Sequence, residues 1–346
     1  MDKLISVLKK FKRKKILILG DILADEYIYG ETSRLSREAP VLILKYDRRI
    51  ILPGGAGNCA NNISALGASS YLIGVIGDDR EGKELLNVLK SHNVDVSGIV
   101  QDKNECTTVK TRIMAGGHHT SRQQVIRIDK ERKSKITLSV EAKLLNKIKE
   151  IINKIDAIII SDYDQQGVLT QNIREQVLHL AKTKKKTVVV DSRYNILEFS
   201  GATVLTPSES ELAQALGVTL DNDNKEIEKA GRLLLNKTNP QAVLVTRGSL
   251  GMSLFEKNGK IMHIPVCGTD EVADVTGAGD TVTSVFTLAL ASHLTFSEAA
   301  KLSNYAGGIV VMKRGTATAN TDELKEIIWS GGKRQTIVKK LHAKKT

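Results

Sequence analysis

The chain has 346 residues, of which 41% are apolar and 26% charged, and it carries a net charge of +12. This is the composition of a globular protein with room for one large α/β domain or two ordinary ones. No apolar run reaches the roughly 18 residues of a membrane-spanning helix, and only 4% of residues are aromatic, so neither a membrane nor a nucleic acid is an expected partner.

In chain order, the basic start (Lys9, Lys10, Lys12, Arg13, Lys14, Lys15) runs into a strand over 15–19 that ends at Gly20-Asp21, not into a signal-peptide core. A cytoplasmic location follows as the expectation. Residues 24–52 alternate as extended strands. Residues 58–66 read as a helix, 71–76 as a strand and 81–91 as a helix. A second extended segment covers about 105–129. Strands at 157–160, 187–190, 204–205 and 242–245 then alternate with helices at 171–183 and from about Glu209. Alternation of this kind predicts an α/β fold, a doubly wound, mostly parallel sheet with helices on both faces. The two extended segments predict a small antiparallel β lid. Residues 1–330 read as one domain and 331–346 as a basic tail. The cysteines, Cys59, Cys106 and Cys267, have neither disulfide nor zinc spacing.

In sheets of this type ligands sit beyond the carboxyl ends of the strands. Asp21, Asp162, Asp191 and Thr246 all fall there. The most informative stretch is Ala273-Asp274-Val275-Thr276-Gly277-Ala278-Gly279-Asp280-Thr281, followed by a helical apolar pattern from Val282 to Ala291. A glycine turn opening a helix aims bare amides and the positive dipole end at an anion. The carboxylate of Asp280 stands at the rim of that hole. This pairing suits phosphoryl transfer to a hydroxyl: the amides hold the moving group and the carboxylate takes the proton. A plain glycine-rich cap with a first-turn acid is the competing account. Two other glycine motifs compete for nucleotide chemistry. Residues 77–84 have P-loop spacing, but Glu84 stands where a Ser or Thr should meet magnesium. Gly55-Ala56-Gly57-Asn58-Cys59-Ala60 fits a relaxed dinucleotide fingerprint, which keeps an NAD-dependent oxidoreductase as the alternative class.

Gly54-Gly55-Ala56-Gly57-Asn58 together with the 274–280 motif resembles the ribokinase-like (PfkB) carbohydrate kinases. The strings at 32–41, 123–129, 161–163, 245–248 and 314–318 are similar to the kinase domain of heptose-7-phosphate kinases, over roughly residues 12–328. The resemblance implies a kinase that uses ATP and Mg2+ to phosphorylate the C1 hydroxyl of a heptose 7-phosphate. Another sugar or sugar phosphate is the alternative within the family, and a non-catalytic sugar-binding relative is a third reading. It implies Asp280 as base and Gly277, Ala278 and Gly279 as anion hole. Asp21, Gly54, Gly55, Asn58, Gln124 and Asp162 are implied on the sugar, with Arg34, Arg112, Arg127 and Arg193 as candidates for its phosphate. Ser208, Glu211, Thr246, Arg247, Gly248, Gly251, Asn304 and Gly307 are implied around the nucleotide, Glu211 also indirectly at magnesium, and Asp274 and Thr276 at a monovalent-cation (K+) site. The family's N-x-x-E element reads Ser208-Glu209-Ser210-Glu211, and Asp191-Ser192-Arg193 replaces Asp-Pro-Lys. A homodimer through the lids is implied. With no H-x-G-H motif in the sequence, an ADP-heptose synthase is expected on a separate chain.

Overall fold

The computed structural model describes residues 2–116, 122–163, 167–221, 223–267 and 273–331. The tail beyond Gly331 and part of the second lid segment therefore lie outside the described residues. Among the described residues thirteen strands form two sheets. The large sheet contains β1 (Lys15–Gly20), β4 (Ser69–Gly77), β5 (Asp95–Asp102), β8 (Ala157–Asp162), β9 (Thr187–Ser192), β10 (Val204–Leu205), β11 (Ala242–Thr246), β12 (Met252–Glu256) and β13 (Ile261–Ile264). Their order is β13-β12-β11-β10-β9-β8-β1-β4-β5. All neighbours are parallel except β11–β12 and β12–β13, an antiparallel edge.

The parallel strands are apolar throughout because both faces are covered. Along β1, Ile16 and Ile18 enter one buried cluster while Leu17 and Leu19 enter the other. The first cluster lies under α1 (Asp2–Phe11), α2 (Ala56–Ala65), α8 (Ala278–Ala291), α9 (Phe296–Val310) and α10 (Thr321–Trp329). The second lies under α4 (Leu138–Ile151), α5 (Gln171–Thr183), α6 (Glu209–Leu216) and α7 (Asn224–Thr238). Helix α3 (Arg80–Ser91) packs Leu85 and Leu89 into the first. Leu288, Ala289 and Phe286 of α8 are fully buried, which fixes that helix against the sheet and so fixes its N-terminus.

The small sheet contains β2 (Ile22–Leu35), β3 (Leu42–Gly55), β6 (Thr108–Gly116) and β7 (Gln123–Lys130), in the order β3-β2-β6-β7. It is the expected lid. Its outer pairs are antiparallel, and the central β2–β6 pair is parallel because the two segments arrive separately from the large sheet. The register sets Asp25 opposite Lys110 and Tyr27 opposite Arg112. Side chains two apart share a face, so this one face carries both charges and rings.

The competing glycine motifs have structural explanations. Asp79 caps α3, accepting the Gly82 amide at 2.9 Å, and Arg80 and Arg49 hold Glu84. The Gly55 turn opens α2 from the end of lid strand β3, not from a strand of the parallel sheet.

Candidate active site

A cavity of about 550 Å³ opens where the carboxyl ends of β8, β9 and β11 meet the lid and the start of α8. This is the place the parallel topology assigns to a ligand. Gly277 sits at φ 77° as the cap of α8. A methyl group there would also lie 2.5 Å from Asn58 Nδ2. Only glycine meets both demands. Gly277, Ala278, Gly279 and Asp280 all line the cavity, so the glycine turn and the carboxylate stand together there.

Asp280 is held from beneath. Asn58 Nδ2 donates to its Oδ2 at 2.7 Å. Asn62 Nδ2 donates to Asn58 Oδ1 at 3.1 Å, and Thr281 Oγ1 donates to Asn62 Oδ1 at 2.9 Å. This buried chain ties α2 to α8 and aims the carboxylate. Burial pushes the Asp280 carboxyl up to about 7, against the Asn58 hydrogen bond and with help from the charge of Asp25. Asn58 is fully buried and is not on the cavity lining. Its expected sugar contact is corrected to the positioning of Asp280.

Other expected sugar positions divide in the same way. Gly55 and Asp162 line the cavity. Ser192 Oγ donates to Asp162 Oδ2 at 2.6 Å, and burial raises the Asp162 carboxyl. Asp21 does not line the cavity. Its oxygens accept the Tyr163 and Val168 amides, both at 2.8 Å, so it anchors the loop after β8. Gly54 is packed against Asp25, and it is Asp25 that reaches the cavity. Gln124 and Arg127 stand on exposed β7, outside the cavity lining, with the Arg127 guanidinium turned onto Asp129 at 2.9 Å. Arg34 is exposed at the far end of β2, also outside the lining.

At the other end of the cavity, Thr246, Gly248, Gly251, Asn304 and Gly307 form a wall of small residues with Met252 and Val266. Gly251 holds φ 84°. The Arg247 side chain points away from the cavity. It pairs with Glu209 at 3.0 Å and donates to Asn224 at 2.6 Å, which braces the loop from below. Ser208 and Glu211 form a reciprocal capping box on α6, with Glu211 Oε2 accepting the Ser208 amide at 2.8 Å. Both also line the cavity. Between the two ends lies Asp191, raised well above the usual carboxylate range by burial and by the charges of Glu211, Asp280 and Asp162. Among the described residues no three metal-binding side chains cage an ion by themselves. Asp274 accepts the Thr276 and Gly315 amides, each at 2.9 Å, and these bonds hold its carboxyl low despite burial.

The sequence reading missed Asp25, Lys110 and Tyr163 as cavity residues, and it placed Asp191 at the ligand end of its strand without assigning it a chemical role. The signal for Lys110 was there: it stands two residues from Arg112 in an alternating strand.

This geometry defines a phosphotransferase site in a two-sheet α/β fold. The description "pfkB family carbohydrate kinase" matches residues 13–323, and the chain belongs to that family. It is a sugar kinase, which replaces the oxidoreductase alternative. It is 40% identical over 316 residues to the bifunctional protein HldE of Helicobacter pylori strain P12, covering 91% of this chain and 67% of that one. The chain spans about two thirds or less of the curated relatives it matches. Among solved structures it resembles the Arabidopsis thaliana ribokinase complexed with ribose and ATP (TM-score 0.71, 19% identity, 91% and 98% of the two chains). It also resembles the Escherichia coli phosphofructokinase-2 in complex with potassium (TM-score 0.73, 18% identity, 92% and 100%). The described residues contain no helix long and apolar enough to cross a membrane.

Proposed function

We propose that the protein transfers the γ-phosphoryl group of ATP to the C1 hydroxyl of D-glycero-D-manno-heptose 7-phosphate, making the 1,7-bisphosphate for ADP-heptose synthesis. The observation that carries this reading is the Asp280 carboxylate, held by Asn58 beside the Gly277–Gly279 turn within one cavity. The 40% identity to the bifunctional protein HldE supports the choice of sugar.

The residues present fit the groups the reaction needs. The small and apolar residues Gly248, Gly251, Met252, Val266 and Gly307, with Asn304, suit the packing of a planar base. The crowding of Glu211, Asp162 and Asp280 around Asp191 is a repulsion that a divalent cation would relieve. Magnesium is commonly bound by one or two carboxylates plus phosphate oxygens, so Glu211 and Asp191 are its holders here. When bound, it neutralises charge on the phosphates. Asp274 and Thr276 are the proposed edge of a monovalent-cation site, K+ in this reading.

Within the protein the division of labour is plain. The amides at the start of α8 stabilise negative charge on the group in transit. Asp280, with its carboxyl near 7, is ionised in a large share of molecules at neutral pH and basic enough to accept the hydroxyl proton. The lid covers the site and excludes water, which would otherwise compete for the phosphoryl group. We also propose a homodimer through the lids, because Leu42, Tyr46, Val125, Ile126 and Ile128 leave apolar side chains exposed there. A phosphatase that removes the 7-phosphate and a nucleotidyltransferase acting on the resulting 1-phosphate are the partner activities this reading calls for.

The test is ADP release with ATP, magnesium and a panel of pentoses, hexoses and heptoses with and without terminal phosphates. Preferential turnover of the heptose 7-phosphate is expected. Turnover of a different sugar would keep the kinase and replace the substrate.

A further inference from the structure

Two cations on the cavity lining form no ion pair among the described residues, and Asp129 and Asp25 act on Lys110 only at longer range. Lys110 is only 7% exposed, yet it lines the cavity, and no described residue forms an ion pair with it. A lysine is almost never buried this deeply unless something pairs with it. Its ammonium lies 4.4 Å from the centre of the Tyr163 ring. Arg193, also on the cavity lining and also without an ion pair among the described residues, lies 5.2 Å from the same ring. The backbone holds this arrangement. Lys110 is fixed by the parallel β2–β6 register, and the Arg193 amide donates to the Asp162 carbonyl at 2.9 Å. The other arginines near the lid are committed elsewhere: Arg112 to Asp25 at 2.5 Å, Arg127 to Asp129 at 2.9 Å.

Two like charges converging on one ring, one of them buried, repel each other and lose hydration. Burial and the nearby Arg193 charge both lower the affinity of Lys110 for its proton. The tyrosine face offsets part of this through cation–π attraction. A dianion between the two would offset much more, since charge-assisted bonds to phosphate are the strong kind.

We infer that Lys110 and Arg193, which both approach the Tyr163 ring, form the seat for a terminal phosphomonoester on the acceptor sugar and so select phosphorylated over neutral sugars. The inference rests on the kinase reading above, because it takes Asp280 to mark the end where the reacting hydroxyl lies. It replaces Arg127 as the expected phosphate contact.

The test compares wild type, Lys110→Met, Lys110→Arg and Arg193→Ala on matched pairs of sugar and sugar phosphate. The readout is the ratio of kcat/KM for the phosphorylated over the neutral partner. A hydrogen bond to a charged group is worth enough that each of Lys110→Met and Arg193→Ala should lower that ratio about 10- to 100-fold. Lys110→Arg should recover most of it, and the KM for ATP should stay within a few-fold throughout. An unchanged ratio in both Lys110→Met and Arg193→Ala would overturn the inference. So would a wild type that turns over neutral sugars as well as their phosphates, and that result would leave the kinase reading standing. Calorimetry with the same sugar phosphates and a non-hydrolysable ATP analogue reads the seat without turnover. Binding to wild type that is lost in Lys110→Met, with no phosphoryl transfer by either, would sink the kinase reading and spare the seat.

Discussion

Replacing Asp280 by asparagine should stabilise the fold while destroying its chemistry. Burial moves the carboxyl from 3.8 up to about 7. A folded-state value above the unfolded one means that the proton is held more tightly in the native protein. The stability this gives is fully present below about pH 4 and is lost as the pH rises through 7. The gap is about 3 pH units at ~1.4 kcal/mol each, so ionised Asp280 costs up to ~4 kcal/mol at pH 8. Water in the cavity screens part of that charge, which leaves about 2 kcal/mol. The substituted amide keeps an oxygen for the Asn58 side chain and cannot ionise. In calorimetric melts without ligand, Asp280→Asn should therefore unfold several degrees above wild type at pH 8. The difference should shrink toward pH 5. A variant no more stable than wild type at pH 8, or a difference independent of pH, would refute the electrostatic account of this site.

Further outcomes follow from the same geometry. The kcat/KM of the wild type for the sugar should rise with pH along a single ionisation near 7, since only the deprotonated Asp280 accepts the hydroxyl proton; a flat profile from pH 5.5 to 8.5 would remove it as the base. Gly277→Ala should cost at least 1–2 kcal/mol by thermal melt, from its left-handed backbone alone, and should lower kcat by pushing Asn58 aside. Arg247→Ala should lose about 3 kcal/mol of stability by stranding Glu209, with a loosened nucleotide loop as the secondary effect; a KM for ATP raised a hundredfold without loss of stability would make it a direct contact. Arg127→Ala should leave the KM for the sugar phosphate within two-fold in the same coupled assay, because its guanidinium is spent on Asp129 outside the cavity.

Much of this architecture is legible along the chain. Strands such as Ile16–Leu19 and Ile158–Ile160 are apolar at every position because both faces are buried, and that pattern needs no partner to be recognised. The turn at Gly277 is legible because backbone conformation and anion chemistry demand the same small residues. The N-terminal helix was hidden: its lysines read only as a basic start to the chain, while Val7, Leu8 and Phe11 face the core from the other side. The role of Asn58 was hidden for a different reason. An asparagine forking onto a sugar and one buried under a carboxylate have identical sequence signatures, and only the packing of α2 on α8 separates them. Asp21 was misplaced by the same ambiguity, since a strand-end carboxylate binds loop amides as readily as a ligand. Glu211 shows both uses at once, capping α6 and lining the cavity.

The central claim, that Asp280 and the turn before it carry a phosphoryl group to the anomeric hydroxyl, is met most directly by phosphorus NMR. Wild type and Asp280→Asn would each be followed with ATP, magnesium and D-glycero-D-manno-heptose 7-phosphate. A new anomeric phosphate rising with ADP in the wild type, and slowed at least 100-fold in the variant at unchanged ATP affinity, is the predicted result. Anomeric phosphate formed at comparable rates by both proteins would contradict it.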